Sequence, residues 1–315
     1  MKAGFIGYRN FARKLRQLFE HNGHIKEFLF FHPEKTIEGL PCSNRVEDLF
    51  DCDFIVIASP DWTHGQYLRQ LQDYGGYIFC EKIPVVSRED LAFLKSHQNP
   101  LLYFNFNYRK GYLYNLFRDH EHEILYVSHK MGHGLALKEE YKNNWRSNAS
   151  YAPLGVFQLS GIHFFDLLVF CFGRPKYYHI TARNISPYGD SIDNFGICLE
   201  FQNGLASDMY FSYTSAYQFK VDMVTTEQLI EYNGRELLVR GPRETCDKDG
   251  LFITPPVISQ INLNLYADSL KNSVNSFLDT VRSKGEFSES LSENNLLSTE
   301  LFMDILDNVR TEKVA

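Results

Sequence analysis

At 315 residues with 44% hydrophobic side chains, the chain is long enough to bury a sizeable core and to divide into two domains. A formal net charge of -7, with no run of lysine or arginine, excludes the electrostatic footprint of a nucleic-acid binder, and the best candidate for a membrane span, residues 164–172, falls far short of the roughly 20 needed to cross a bilayer. Six cysteines scattered without a C-x-x-C pair, and an N-terminus without the order of a signal peptide, give the expectation of a reduced, cytoplasmic protein with no membrane partner.

In chain order, residues 3–6, 28–31, 54–58, 77–79 and 101–105 read as strands, separated by helical spacing at 11–21, 64–74 and 87–97. Short apolar strands alternating with amphipathic helices make a parallel sheet covered on both faces. Ser87 ahead of Glu89 and Asp90 supplies a capping hydroxyl and two carboxylates for a helix start. Beyond about residue 120 the pattern turns to longer alternating runs at 123–130, 176–184, 194–201, 204–213, 218–225 and 228–232. Asn203-Gly204 and Asn233-Gly234 lie among them as hairpin signals, a helix at 155–171 interrupts, and 270–283 and 289–308 read as closing helices. The expected fold class is α/β: a Rossmann-type, doubly wound parallel sheet over residues 1–120, then an α+β domain with a large, open, mostly antiparallel sheet over 121–315, whose closing helices are free to pack back on the first domain.

Three strings and one loop carry candidate chemistry. Gly7 sits where the first strand turns into the first helix, so Gly7, Arg9 and Ala12 occupy the three places of a G-x-G-x-x-G phosphate loop. In "ASPDWTH", Ser59 and Pro60 end the third strand and His64 opens the next helix; in "CEKIP", Glu81 and Lys82 follow the fourth. Both strings lie at carboxyl ends of strands, where open parallel sheets bind ligands. The helix "GVFQLSGIHFFD" carries His163, with Asp166 three residues on and able to share its face.

With these residues in order, the chain resembles the Gfo/Idh/MocA (glucose-fructose oxidoreductase / inositol 2-dehydrogenase) family: S-P-x-x-x-H at 59–64, an E-K-P-like string at 81–84, Trp145-Arg146, and G-x-H-x-x-D at 161–166. The resemblance implies NAD(P)-dependent oxidation or reduction of a CH-OH carbon on a sugar or nucleotide-sugar, and a homodimer or homotetramer through the second-domain sheet. It implies NAD or NADP as cofactor, with NAD preferred, held by Gly7, Arg9, Asn10, Phe11, His32, Ser59, Pro60, His64 and Glu81. Lys82 and His163 are implied as catalytic, Asp166 and Glu81 as supporting them, and Asn107, Arg109, Trp145 and Arg146 as facing substrate. An ammonium at Lys82 orients the substrate oxygen, and the His163 imidazole exchanges the hydroxyl proton.

The chain departs from that pattern in four places. Arg9 replaces the second glycine of the loop, so its side chain either swings away or meets phosphate as a cation. His32 replaces the acidic residue that grips the ribose of NAD, which leaves room for the 2′-phosphate of NADP beside Lys35. The proline of "CEKIP" comes one residue late, behind Ile83. Leu159 replaces a carboxylate on the His163 helix. These departures support an alternative, a non-catalytic member of the same fold that senses a dinucleotide or sugar and acts through a protein partner. The charged run at 119–123 is expected to face solvent and bind no metal, because neighbours on a strand point to opposite faces. Tyr177, Tyr178, Tyr210, Phe211, Tyr213 and Tyr217 are expected in the core or at a subunit interface.

Overall fold

The computed structural model describes residues 1–33, 37–242, 245–309 and 312–313. Lys35, expected beside a 2′-phosphate, lies outside the described residues. The chain divides into two compact units: Met1–Lys110 with Ser269–Met303, and Gly111–Asp268 with Asp304–Ala315.

In the first unit β1 (Lys2–Ile6), α1 (Asn10–His21), β2 (Glu27–Phe31), β3 (Cys42–Ser43), β4 (Phe54–Ile57), α2 (His64–Gln70), β5 (Tyr77–Glu81), α3 (Arg88–Ser96) and β6 (Leu102–Asn105) follow in turn. Their six strands form one parallel sheet in the order β3-β2-β1-β4-β5-β6, the doubly wound arrangement expected. β4 and β6 are buried along their whole length, which explains why they read as unbroken apolar runs rather than alternating ones. α1 turns Ala12, Leu15 and Phe19 inward, and Phe19 meets the Phe5 and Phe79 rings edge-on at 5.9 and 5.5 Å. Ser87 caps α3 by accepting the Asp90 N–H at 3.1 Å. Phe277 joins this aromatic core, 5.2 Å from Phe79 and 5.4 Å from Phe54.

The second unit opens with α4 (Tyr112–Asp119), whose Phe117 packs 5.8 Å from Phe172 and 6.3 Å from Phe164. For that reason the division falls at Lys110 and Gly111 rather than at the expected 120 and 121. There follow β7 (Ile124–Gly132), α5 (Ile162–Phe172), β8 (Tyr177–Asn184), β9 (Asn194–Glu200), β10 (Ala206–Ser212), β11 (Gln218–Thr225), β12 (Leu229–Tyr232), β13 (Glu236–Arg240) and β14 (Val257–Asn262). α6 (Leu265–Ser283) and α7 (Leu297–Asn308) close the chain, and β15 (Glu312–Lys313) adds a final short strand.

Nine strands form the sheet in the order β14-β13-β12-β11-β7-β10-β9-β8-β15. It is antiparallel except for the β7–β10 and β8–β15 pairs. Both Asn-Gly pairs turn hairpins, β9–β10 and β12–β13, with Gly204 and Gly234 at φ +87° and +94°. β13 and β14 answer to no expectation from the sequence, and the expected helix over 289–308 begins as two 3-10 turns before α7. No helix among the described residues is long and apolar enough to cross a membrane.

Candidate active site

In the first unit the candidate residues collect at the carboxyl ends of β1, β4, β5 and β6. The connections leave β1 and β4 in opposite directions along the sheet, which opens a crevice between their ends. Gly7 stands at that crevice with φ +91°, and a Cβ on it would lie 3.0 Å from the Ala58 carbonyl oxygen and the Ser59 nitrogen. Only glycine fits both the angle and the space. Arg9 is different: it caps α1 with φ -89° and ψ -177°, extended backbone open to any residue. Arg9 and Asn10 are exposed, Phe11 is half-buried, and the first turn of α1 holds no acidic residue. Ala12 is fully buried against the sheet, where the loop's third small residue belongs.

Ser59 and Pro60 are half-buried after β4, and the Thr63 hydroxyl lies 2.7 Å from both Ser59 Oγ and the Pro60 carbonyl. His64 is fully buried. Its Nε2 lies 2.9 Å from the Ser59 carbonyl and its Nδ1 2.8 Å from the Ile83 carbonyl. Both ring nitrogens are thus taken up inside the unit, and the imidazole ties the loop after β4 to the loop after β5. Burial holds its pKa below the ordinary value, against the pull of Asp61 and the two carbonyls. A neutral ring donates to one of those carbonyls at a time. The peptide bond it steadies, Lys82–Ile83, is cis.

Glu81 is buried at the end of β5 and Lys82, next to it, is half-buried. The Glu81 carboxylate accepts from Asn105 Nδ2. Asn105 Oδ1 in turn accepts from Ser273 Oγ at 2.6 Å, and the Tyr103 hydroxyl lies 2.7 Å from that oxygen. Burial pushes Glu81 up to about 7, against the Asn105 hydrogen bond, the Lys82 charge and the Lys82 backbone N–H. Asn107 and Arg109, expected to face substrate, are buried inside this unit: Asn107 Nδ2 donates to Ser269 Oγ at 2.6 Å, and Arg109 donates to Asn295 Oδ1 at 2.7 Å and its carbonyl at 3.1 Å. They brace the closing segments. His32 is half-buried past β2, its backbone N–H directed at the Ser43 carbonyl at 3.4 Å.

In the second unit a π-helical turn, Phe157–Gly161, runs straight into α5. Such turns recur at functional sites. Gly155 starts this run at φ +42°, where a Cβ would come within 1.8 Å of the Ile192 carbonyl oxygen. His163 is buried to 9% exposure with its ring 6.0 Å from Tyr266, edge to face, and Asp166 is fully buried. Leu159, at the place of the missing carboxylate, is half-buried.

Ser160, between Leu159 and His163, lies with its Oγ 3.2 Å from the Tyr213 hydroxyl. Tyr213 faces the His133 ring at 4.9 Å and the Tyr141 ring at 6.4 Å. Tyr141 donates to the Arg146 carbonyl at 2.9 Å, and the Arg146 guanidinium lies over the Trp145 ring, 4.7 Å from its centroid. Of the expected aromatic stripe, Tyr213 belongs to this cluster, Phe211 is core, Tyr178 is half-buried, and Tyr177, Tyr210 and Tyr217 are exposed. Alternation along a strand could not separate Tyr213 from its neighbours, and nothing near His133 in the sequence marks it. The run at 119–123 faces outward, as its mixed charges suggest, with His120 Nδ1 3.0 Å from Glu123.

The family model described as the GFO/IDH/MocA C-terminal domain matches residues 123–231. The chain is 26% identical over 152 residues to glucose-6-phosphate 3-dehydrogenase of Bacillus subtilis (strain 168), a match spanning 44% of this chain and 42% of that enzyme, less than half of either. An oxidoreductase from Agrobacterium radiobacter, solved with NAD+, L-tartaric acid and magnesium, superposes with a TM-score of 0.75 at 18% identity over 98% of this chain and 97% of that one. Levoglucosan dehydrogenase with NADH and levoglucosan gives 0.78 at 15%, covering 97% and 95%. KijD10, a 3-ketoreductase from Actinomadura kijaniata solved with NADP and TDP-benzene, gives 0.78 at 15%, covering 100% and 99%. At these identities the likeness is one of fold.

Proposed function

Since the chain belongs to the GFO/IDH/MocA family of oxidoreductases, we propose that it is an NAD(P)-dependent enzyme transferring a hydride between nicotinamide and a secondary hydroxyl or ketone carbon of a sugar or nucleotide-sugar. The observation that carries this reading is the first unit's crevice: the Gly7 turn, the exposed start of α1 without an acidic residue, and the Glu81-Lys82 pair at the end of β5. The fit to a dinucleotide is physical. The α1 N-terminus and the Arg9 cation favour a pyrophosphate, and Asn10 and Phe11 present backbone N–H groups there. The nicotinamide, when bound, supplies the hydride acceptor or donor.

The remaining roles fall to the chain's own side chains, each read within its unit. Lys82 orients the substrate oxygen and favours its alkoxide character, while Glu81 and His64 are positioning residues that fix the Lys82 loop from either side. His163 exchanges the substrate proton, with Asp166 on its helix. Ser59 and Pro60 line the crevice. His32, lacking the carboxylate that would repel a 2′-phosphate, leaves both NAD and NADP as cofactors, with NAD the first choice. The same reading takes the nine-stranded sheet as the contact of a homodimer or homotetramer, in the cytoplasm.

Leu159 gives one specific reason to hold a second reading, a non-catalytic sensor of a dinucleotide or sugar that acts through a protein partner. Fluorescence titration with NADH and NADPH, on protein shown to carry no cofactor through purification, comes first; binding of neither sinks the dinucleotide assignment. With binding in hand, turnover of any member of a sugar and nucleotide-sugar panel removes the sensor. In an active enzyme Lys82→Ala should lower kcat by about two to four orders of magnitude and leave NADH affinity within about twofold. A parallel loss of NADH binding would reassign Lys82 to a structural role.

A further inference from the structure

The chain is acidic overall, yet one connection of the second unit carries the half-buried Arg146 and the exposed Lys138 without counter-charges among the described residues. Arg146 and Arg240 are half-buried arginines of that unit. Arg240 is paired with Glu231 at 2.5 Å, whereas among the described residues Arg146 has no carboxylate: it stacks on Trp145 and reaches Asn144 Oδ1 at 3.4 Å. Lys138, on the same connection, also lacks an acidic partner among the described residues, and Glu139 beside it is taken by Lys142 at 2.6 Å.

Hydrogen-bond donors join the same cluster through Tyr141, whose hydroxyl donates to the Arg146 carbonyl and whose ring meets Tyr213. Ser160 and Tyr213 hold their hydroxyl oxygens 3.2 Å apart, and His133 lies half-buried against Tyr213. The arrangement is firmly tied: the His133 backbone N–H donates to the Ser212 carbonyl at 2.9 Å, the Ala136 backbone N–H to the Tyr213 carbonyl at 2.8 Å, and the Tyr141 hydroxyl to the Arg146 carbonyl. Burial, and to a lesser degree the Lys138 and Arg146 charges, hold the His133 pKa below its ordinary value. Asp193, whose charge reaches Tyr141, is fully buried and occupied by the N–H groups of Ile185 and Ser186 and by Asn194 Nδ2. A planar guanidinium, an imidazole and two hydroxyls with no anion among them match the donors that a phosphate or carboxylate needs.

We propose that Arg146, His133, Tyr213 and Ser160 form a subsite for an anionic substituent, so that this unit takes an acidic sugar, bearing phosphate or carboxylate, rather than a neutral one. Calling that sugar the substrate rests on the oxidoreductase reading; the anion subsite itself does not. Ser160 lies three residues before His163 in one helical run, so the subsite and the proposed proton-exchanging group share a rigid element.

The test follows the His133 imidazole by NMR in the intact protein, its resonance identified by its loss in His133→Gln. It is titrated with pH alone, then with inorganic phosphate, glucose 6-phosphate, glucuronate and glucose. An anion seated beside the ring should raise its midpoint by about half a unit or more. Glucose 6-phosphate or glucuronate, whichever chemistry the subsite takes, should act at about a tenfold lower concentration than inorganic phosphate. Glucose should leave the midpoint unmoved. Arg146→Ala should abolish the shift and Arg146→Lys should keep part of it. Absence of a shift with every anion, a shift that survives Arg146→Ala, or equal potency of inorganic phosphate and the sugar anions would overturn the proposal. Because the readout is an imidazole and not turnover, a shift in a protein that binds neither NADH nor NADPH would remove the oxidoreductase reading and leave the subsite standing.

Discussion

Glu81 in the first unit and His129 in the second are both buried titratable side chains, and their surroundings treat them in opposite ways. Around Glu81 the fold supplies partners: Asn105 donates to the carboxylate, Ser273 donates to Asn105 from behind, and Tyr103 pairs with the Ser273 hydroxyl. Around His129, at the centre of β7, it supplies rings. Phe164 stacks on the imidazole at 4.2 Å, Phe219 and Phe211 approach at 5.2 and 5.4 Å, and neither ring nitrogen has a hydrogen-bond partner among the described residues. A carboxylate at the end of a parallel strand is held ready to carry charge, whereas the imidazole under α5 packs as a neutral aromatic and the fold bears the cost of its two unpaired nitrogens.

The two groups also tilt stability against pH in opposite senses. Burial lowers His129 to about 3, below its ordinary 6.5, so between those values the unfolded chain binds a proton that the folded chain does not. Stability is full above 6.5 and falls as pH drops, by about 1.4 kcal/mol per unit. His129→Phe should remove that slope. Urea denaturation at pH 4 should find the variant about 3 kcal/mol more stable than the native chain, relative to their difference at pH 8. Equal slopes for the two proteins would mean that His129 takes up its proton in the folded state, and the contrast with Glu81 would collapse.

That contrast was only half legible in the sequence. The carboxyl ends of the parallel strands could be found because short, doubly buried strands read as apolar runs, and whatever polar residue follows them stands out: Gly7, Ser59, Glu81 and Lys82 were all placed this way. His64 was legible as the residue that opens α2, but that both its nitrogens turn inward depends on the Ile83 carbonyl, 19 residues away. Asn107 and Arg109 were legible as polar residues after a strand; their burial depends on Ser269 and Asn295, more than 160 positions on. In the second unit the alternating strands of the middle of the sheet were found, while β14 was not, because its residues are nearly all exposed and alternation has no inner face to report. His129 has the same kind of obscurity, since a histidine within a strand gives no sign of whether rings or water surround it.

The Glu81 side of the comparison can be broken from Asn105. Glu81 is raised to about 7 from an ordinary value near 4.5, so the folded chain binds more protons than the unfolded one between those values, and stability falls as pH rises through them. Asn105→Leu removes the donor that holds the charged form, so the ionised carboxylate loses its hydrogen bond while the protonated one loses little. The variant should be about 2 kcal/mol less stable than the native chain at pH 8 and nearer to it at pH 5. A deficit of the same size at both pH values would show that Asn105 serves packing rather than the carboxylate.

Ser87 sharpens the comparison from outside both cores. Its hydroxyl accepts the Asp90 N–H at the exposed start of α3 and lies 2.7 Å from Asp90 Oδ2, while Asp90 also receives Arg69 Nε at 2.8 Å. Ser87→Ala leaves one helix N–H without its cap, a loss of about 1 kcal/mol. Water can reach that N–H, and neither the hydroxyl nor the amide titrates between pH 5 and 8, so the loss should be the same at both ends of that range. A capping loss that varied with pH as steeply as the Asn105 deficit would mean that net charge, and not the buried carboxylate, sets the slope assigned to Glu81.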